Sequence, residues 1–243
     1  MPGKPPAESL LDAAVISNAM YATKRGSGYQ GTNTEKLSKC LGKMQSDGLI
    51  SGDWKVDPTF AATSHYAIFV NDKTKQVFIA SRGSSSPIGD WIVNDLGGYL
   101  GFSGTRASRT LDACQDDVRD LIERGYNVSG TGHSLGGSVI RLVCSALNIS
   151  AITFDAPFLK HENDNFNTET RSNNSTEHTN VNMNGDVVNK ITSPELYKDS
   201  DTQNSISVGS DENLSPLEAH SMDRMLSYLK ESKLLLSFQF IPE

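Results

Sequence analysis

Val128-Ser129-Gly130-Thr131-Gly132-His133-Ser134-Leu135-Gly136-Gly137 contains Gly-x-Ser-x-Gly with Ser134 at its centre. Before it, Tyr126 to Thr131 has the character of a strand. After it, Leu135, Val139, Leu142, Val143, Ala146 and Leu147 recur at helical spacing. A serine on a sharp strand-to-helix turn needs small neighbours, and Gly132 and Gly136 leave room for the bend. The turn lifts the Ser134 hydroxyl off the sheet. It also sets it at a helix N-terminus, where unpaired N–H groups and the helix dipole favour developing negative charge. Ser134 is therefore the candidate nucleophile. Gly-x-Ser-x-Gly alone is a weak motif, and without its flanks it would read as a glycine-rich joint with no chemistry.

The same periodicities extend outward. Ser9 to Tyr21 reads as a helix. Thr32-Asn33-Thr34-Glu35 is a capping box opening a second helix, whose Leu37, Cys40, Leu41 and Met44 share one face. Tyr66 to Val70 and Gln76 to Ser81 are strands of a hairpin turned by Asn71-Asp72-Lys73-Thr74. Thr110 to Arg124 is a helix, Ser150 to Phe154 a strand, and Leu217 to Leu229 a terminal helix. Alternating helices and strands predict parallel pairing with right-handed crossovers in a single α/β domain over residues 1–243. His161 to Asn184 is rich in Asn, Thr, Glu and Ser, and reads as a polar surface excursion, 161–184, with regular structure resuming near Val181.

Composition narrows the function classes. A net charge of -7 without a basic block argues against nucleic acid as partner. The 3 cysteines, Cys40, Cys114 and Cys144, read as buried free thiols, and no Cys/His cluster has metal-ligand spacing, so no metal is expected. No apolar run is long enough for a transmembrane anchor, and Met1 to Ser9 lacks the apolar core of a signal peptide. Together these fit a cytoplasmic protein, one exported by a route needing no cleaved signal, or a chain in its mature form.

A serine hydroxyl needs an adjacent base, itself oriented by a carboxylate. On this scaffold the chain order is Ser, then acid, then His. His161, His178 and His220 follow Ser134; the first two fall in the polar stretch, so His220 is the candidate base. Asp186, in the glycine turn Asn184-Gly185-Asp186, is the candidate acid. Asp155 is next in rank, and Asp199 and Asp201 follow. A turn aspartate bonded to its own backbone is the plain alternative for Asp186. His133 adjoins Ser134, so its side chain is expected to point elsewhere. The oxyanion needs two donors: the Leu135 N–H, and Ser84 in the Ser81-Arg82-Gly83-Ser84 loop after the hairpin.

Val77-Phe78-Ile79-Ala80-Ser81-Arg82-Gly83-Ser84, Asp90-Trp91-Ile92-Val93-Asn94-Asp95-Leu96 and Gly132-His133-Ser134-Leu135-Gly136-Gly137 together resemble the class 3 lipases, over residues 60 to 230. The resemblance implies an α/β-hydrolase fold, a central mostly parallel sheet flanked by helices, and hydrolysis of lipid esters without a cofactor. It assigns Ser134 as nucleophile, Asp186 as acid, His220 as base and Ser84 as oxyanion donor. Asn189 stands where the family has a proline after the acid turn, a departure in this chain. Residues 86–103 resemble the family's lid, with Ile88, Trp91, Ile92, Val93 and Leu96 as its lipid-facing residues and Gly97, Gly98 and Gly101 as hinges. Packing of the same residues on the sheet is the alternative. The expected substrate is a glycerophospholipid at a membrane or micelle surface, cleaved as by a phospholipase A1. The alternatives are a triacylglycerol lipase or carboxylesterase and, from another class, a hydrolase-fold binding protein without turnover. The resemblance also implies a protein secreted without a cleaved signal peptide, of bacterial origin, with a cytoplasmic protein as the alternative; an export apparatus or an inhibitor protein would then be a further partner.

Overall fold

A computed structural model of the chain describes residues 7–60, 62–84, 96–157, 177–186, 203–209 and 214–238. Its centre is a seven-stranded sheet whose strands lie side by side in chain order. Strands β1 (Trp54–Val56), β2 (Tyr66–Asn71) and β3 (Gln76–Ser81) pair antiparallel. From β3 onward every pairing is parallel, through β4 (Asn127–His133), β5 (Ser150–Phe154), β6 (His178–Met183) and β7 (Gln203–Val208). The hairpin between β2 and β3 turns where expected: Asn71 Oδ1 accepts the N–H groups of Lys73 and Thr74 at 3.2 and 3.1 Å.

Helices cover both faces, and the two layers sort by the period-2 alternation of the strands. Phe69, Phe78, Phe154 and Val181 face α1 (Ala7–Ala19), α2 (Asn33–Ser46) and the C-terminal helix, burying Val15, Ile16, Met20, Leu37 and Met225. Their neighbours Ile68 and Ile79 face the opposite way, with Cys114 and Val118 of α3 (Leu96–Glu123) and Val139, Ile140 and Val143 of α4 (Leu135–Leu147). Cys40, Cys114 and Cys144 are buried free thiols, as expected. The α2 N-terminus has both halves of the Thr32/Glu35 capping box.

Register sets the edge that matters. Ser81 pairs with Gly132, and His133 with Phe154. Arg82, Ser134 and Asp155 therefore leave the sheet together at the C-terminal ends of three adjacent parallel strands, where loops of such sheets build binding sites.

Three expectations change. Helix α3 begins at Leu96, not Thr110, so part of the expected lid segment 86–103 is helical backbone. Gly97, Gly98 and Gly101 each cost a helix about 1 kcal/mol, which disguised this stretch, but propensity is a weak prior against tertiary context. Ile88, Trp91, Ile92 and Val93 lie outside the described residues, as do residues 161–176 of the polar stretch. The rest of that stretch is not a surface excursion: residues 178–183 form β6, an interior strand buried at every position. Asn180 ties it to its surroundings. Asn180 Oδ1 accepts from Thr153 Oγ1 (2.8 Å) and Ala156 N (3.3 Å), while Asn180 Nδ2 donates to Ala156 O (3.0 Å) and Asn182 Oδ1 (2.8 Å). Finally, the terminal helix is two, α5 (Pro216–Ala219) and α6 (Met222–Phe238), and His220 sits in the break between them.

Candidate active site

Ser134 links β4 to α4 with φ 55° and ψ -132°, a backbone conformation that L residues other than glycine rarely hold. Strain of this kind costs about 1–3 kcal/mol and persists where surrounding structure imposes it. Here the Ser134 N–H donates to Phe154 O at 2.9 Å, and Ser134 O accepts from Gly137 N at 2.9 Å, so both sides of the bend are pinned. Gly132 and Gly136 do what the sequence predicts. A Cβ on Gly132 would stand 2.7 Å from the Gly136 carbonyl oxygen, and one on Gly136 would strike Ser81 O and stand 2.6 Å from the Arg82 carbonyl carbon. Leu135 is the first residue of α4, so its N–H has no intrahelical acceptor.

The structure brings Asp186 and His220 together. His220 Nδ1 donates to Asp186 Oδ2 at 2.5 Å, and neither side chain has any solvent exposure. Asp186 is held by its turn: its N–H donates to Met183 O at 3.2 Å, directly after β6, and Gly185 has φ 88°. His220 caps the C-terminus of α5, whose own start is fixed by a Ser215/Glu218 capping box with Pro216 behind it. The His220 ring lies 4.8 Å, centroid to centroid, from the ring of His133, the residue before Ser134. Ser134 is 2% exposed. Ser134 Oγ and His220 Nε2 are both buried without a hydrogen-bond partner among the described residues, so no hydrogen bond joins them in this structure.

The Arg82-Gly83-Ser84 loop leaves β3 against this site. A Cβ on Gly83 would lie 2.8 Å from His133 O and 3.4 Å from Ser134 Cβ. Two arginines brace the loop from behind. Arg106 Nη2 donates to Arg82 O and, at 3.3 Å, to His65 O; the Arg82 N–H also donates to His65 O at 2.8 Å. Burial lowers the pKa of the Arg82 guanidinium, which reaches Thr23 Oγ1 at 3.4 Å. Ser84 is half-buried in the same loop. Ordinary residue-type patterns gave no sign of Arg106, which lies within α3.

Asp155, second in rank as acid, is also buried here, with φ 43°. Its Oδ1 accepts the Met183 N–H at 2.8 Å, so it supports the end of β6 that delivers Asp186. His133, Asp155 and His220 each place one possible ligand atom within 4.8 Å of the others. The donor set suits a hydrogen-bond network better than a metal: both His133 nitrogens, His220 Nδ1 and Asp155 Oδ1 already hold protein partners. Asp199, Asp201 and His161 lie outside the described residues. His178 lies in β6, bonded through Nε2 to Ser145 Oγ at 3.1 Å. His133 does not point away from the site, contrary to expectation. It meets the His220 ring and backbone, and Tyr21 at its other side had no sequence signal at all. No helix among the described residues is long and apolar enough to cross a membrane.

Comparisons with known proteins agree with this architecture. Among solved structures, Lip2 lipase from Yarrowia lipolytica is similar at 15% identity with a TM-score of 0.53, covering 87% of this chain and 81% of that one. Rhizomucor miehei triacylglyceride lipase matches at 18% identity and a TM-score of 0.50, over 79% of this chain and 77% of that one. The Rhizomucor miehei lipase propeptide complex matches at 19% identity and a TM-score of 0.48, over 76% of this chain; the chain spans only 63% of that one. At 15% and 18% identity, the likeness to the Yarrowia lipolytica lipase and the Rhizomucor miehei triacylglyceride lipase speaks for the fold alone. No curated protein matches the chain. The sequence model of the Tle-like phospholipase domain, described as phospholipase-like, matches residues 12–219. The chain, an α/β-hydrolase by fold, thus belongs to the Tle-like phospholipase domain family.

Proposed function

We propose that the chain is a serine hydrolase that cleaves carboxylic esters of lipids, glycerophospholipids foremost, in the manner of a phospholipase A1. The observation that carries this reading is the sealed His220–Asp186 pair set beside a strained serine turn. Ser134 Oγ attacks the ester carbonyl while His220 Nε2 takes its proton. Asp186 keeps the His220 proton on Nδ1 and stabilises the imidazolium. The Leu135 N–H, with Ser84, donates to the tetrahedral oxyanion. His220 then protonates the leaving alcohol, and water, activated by the same ring, releases the fatty acid from Ser134. The Ser134–His220 hydrogen bond forms on substrate binding, as is common for sites that tighten only in the Michaelis complex. The family supports phospholipid as substrate. The lid reading of residues 86–103 is part of the proposal and rests on their apolar sequence.

Labelling with a fluorophosphonate, followed by peptide mapping, tests the enzyme reading. Modification at Ser134, abolished in Ser134→Ala, is expected; a protein left unlabelled at Ser134 would instead be a hydrolase-fold binding protein. Turnover of phosphatidylcholine, triglyceride and short p-nitrophenyl esters then ranks the substrates. Preference for triglyceride or for the short ester would replace the phospholipase reading with a lipase or carboxylesterase.

A further inference from the structure

His220 has no helix to hold its backbone, because it falls in the break between α5 and α6. Its N–H returns to Glu218 O within the last turn of α5. Its carbonyl is taken by a side chain from a distant strand: His133 Nε2 lies 3.0 Å from His220 O. A carbonyl only accepts, so His133 carries its proton on Nε2. Its Nδ1, 2.7 Å from Tyr21 Oη, must then be the acceptor of the Tyr21 hydroxyl proton while the ring is neutral. Burial, reinforced by the neighbouring His220, holds the His133 pKa well below the usual histidine value, although its bond to the His220 backbone opposes this. Burial likewise raises the pKa of the Tyr21 hydroxyl, against the pull of Arg82 and Arg106, so it remains a donor.

Tyr21 belongs to the short 3-10 turn Met20–Thr23 that follows α1. Its hydroxyl is packed so closely on Gly83 that a Cβ there would collide with it. One hydroxyl thus touches the loop leading to Ser84 and bonds the residue that precedes Ser134. That residue in turn grips the backbone of His220. We infer that Tyr21 and His133 are positioning residues for the reaction, forming a relay of two hydrogen bonds that sets the His220 backbone, and with it Nε2, relative to Ser134. The inference rests on the proposed function, in which His220 is the base. Neither residue touches substrate in this role; Tyr21 fixes the His133 tautomer, and His133 fixes His220.

The test is kcat and KM per active site, with sites counted by fluorophosphonate titration, for Tyr21→Phe, His133→Leu and His133→Gln. Tyr21→Phe removes one oxygen and nothing else. A misplaced reacting group costs up to about 100-fold in rate. Tyr21→Phe is expected to lose about tenfold and His133→Leu about 100-fold in kcat, on that scale, with KM within about twofold. The glutamine amide can still donate to His220 O, so His133→Gln is expected to recover much of the loss. A merely structural role would lower the number of titratable sites and leave kcat per site unchanged. That result in Tyr21→Phe, or a His133→Gln no better than His133→Leu, overturns the relay. If His133→Leu does not fold, Tyr21→Phe alone decides. Failure of the wild-type protein to label at Ser134 would be failure of the enzyme reading itself, seen before any variant is made.

Discussion

His220 Nδ1 and Asp186 Oδ2 face each other across 2.5 Å in a space closed to water. The carboxylate can only accept, which leaves the Nε2 lone pair as the basic position of the ring. Two short segments make the contact, a glycine turn after β6 and the break after α5, 34 residues apart.

Asp186→Asn puts this arrangement to work as a test. An amide can donate to Nδ1, which drives the proton to Nε2 and removes the base. A loss of about 10³–10⁴-fold in kcat is expected, with KM little changed and the circular dichroism spectrum intact. Asp155→Asn should cost far less. Its Oδ1 accepts a backbone N–H, which an amide oxygen does equally, and asparagine tolerates φ 43°. Esterase kinetics showing the reverse ranking would move the acid to Asp155.

Ser134 predicts a stability effect separate from activity. At φ 55° and ψ -132°, alanine keeps the strain of the native serine and glycine relieves it. Ser134→Gly should therefore unfold above Ser134→Ala, by about 1 kcal/mol or roughly 2–4 °C. Thermal melts of the two inactive variants side by side check this. Equal midpoints would mean that the turn stores no usable strain.

What was legible in the sequence was local or ordered along the chain. Thr32 and Glu35 are three residues apart, and the 71–74 turn is set by its own Asn71; both signals are complete within one segment. Ser134 announced itself because sheet, glycines and helix adjoin it. His220 follows from chain order and Asp186 from its glycine turn, and they are the pair that the structure joins. Tyr21 and His133 left no such trace, since a bond across 112 residues has neither period nor spacing. Strand β6 escapes an apolarity criterion because it is polar and interior. Asn180 and Asn182 are buried with polar partners on β5, β7 and the loop after β5, and His178 with Ser145 of α4, which no single stretch reveals.

Asn180 tests that account. Alanine there would strand the Thr153 hydroxyl, the Asn182 amide oxygen and both backbone groups of Ala156. Each unsatisfied buried group costs about 1–3 kcal/mol, some of it recovered by relaxation, so a loss of about 2–4 kcal/mol is expected. Urea unfolding should show a lower midpoint with an unchanged slope. A loss below about 1 kcal/mol would show that water or repacking replaces the network.

His178 predicts how stability responds to acid. Burial first, and the Arg141 charge second, lower its pKa to about 4, and it is 5% exposed in the folded chain. In the unfolded chain it titrates at about 6.5. The folded pKa is the lower one, so the unfolded state binds the extra proton between these values. The contribution of neutral His178 is complete above about pH 6.5 and is lost as pH falls toward 4. His65 is lowered to about 4, and His133 is lowered well below its usual value, so the wild-type decline is a sum. His178→Gln removes one contributor while leaving an amide able to bond Ser145. Between pH 7.5 and pH 4.5 the variant should lose about 2 kcal/mol less than the wild type in urea unfolding. Parallel losses in the two proteins would mean that His178 takes up its proton alike in the folded and unfolded states, its burial and Arg141 notwithstanding.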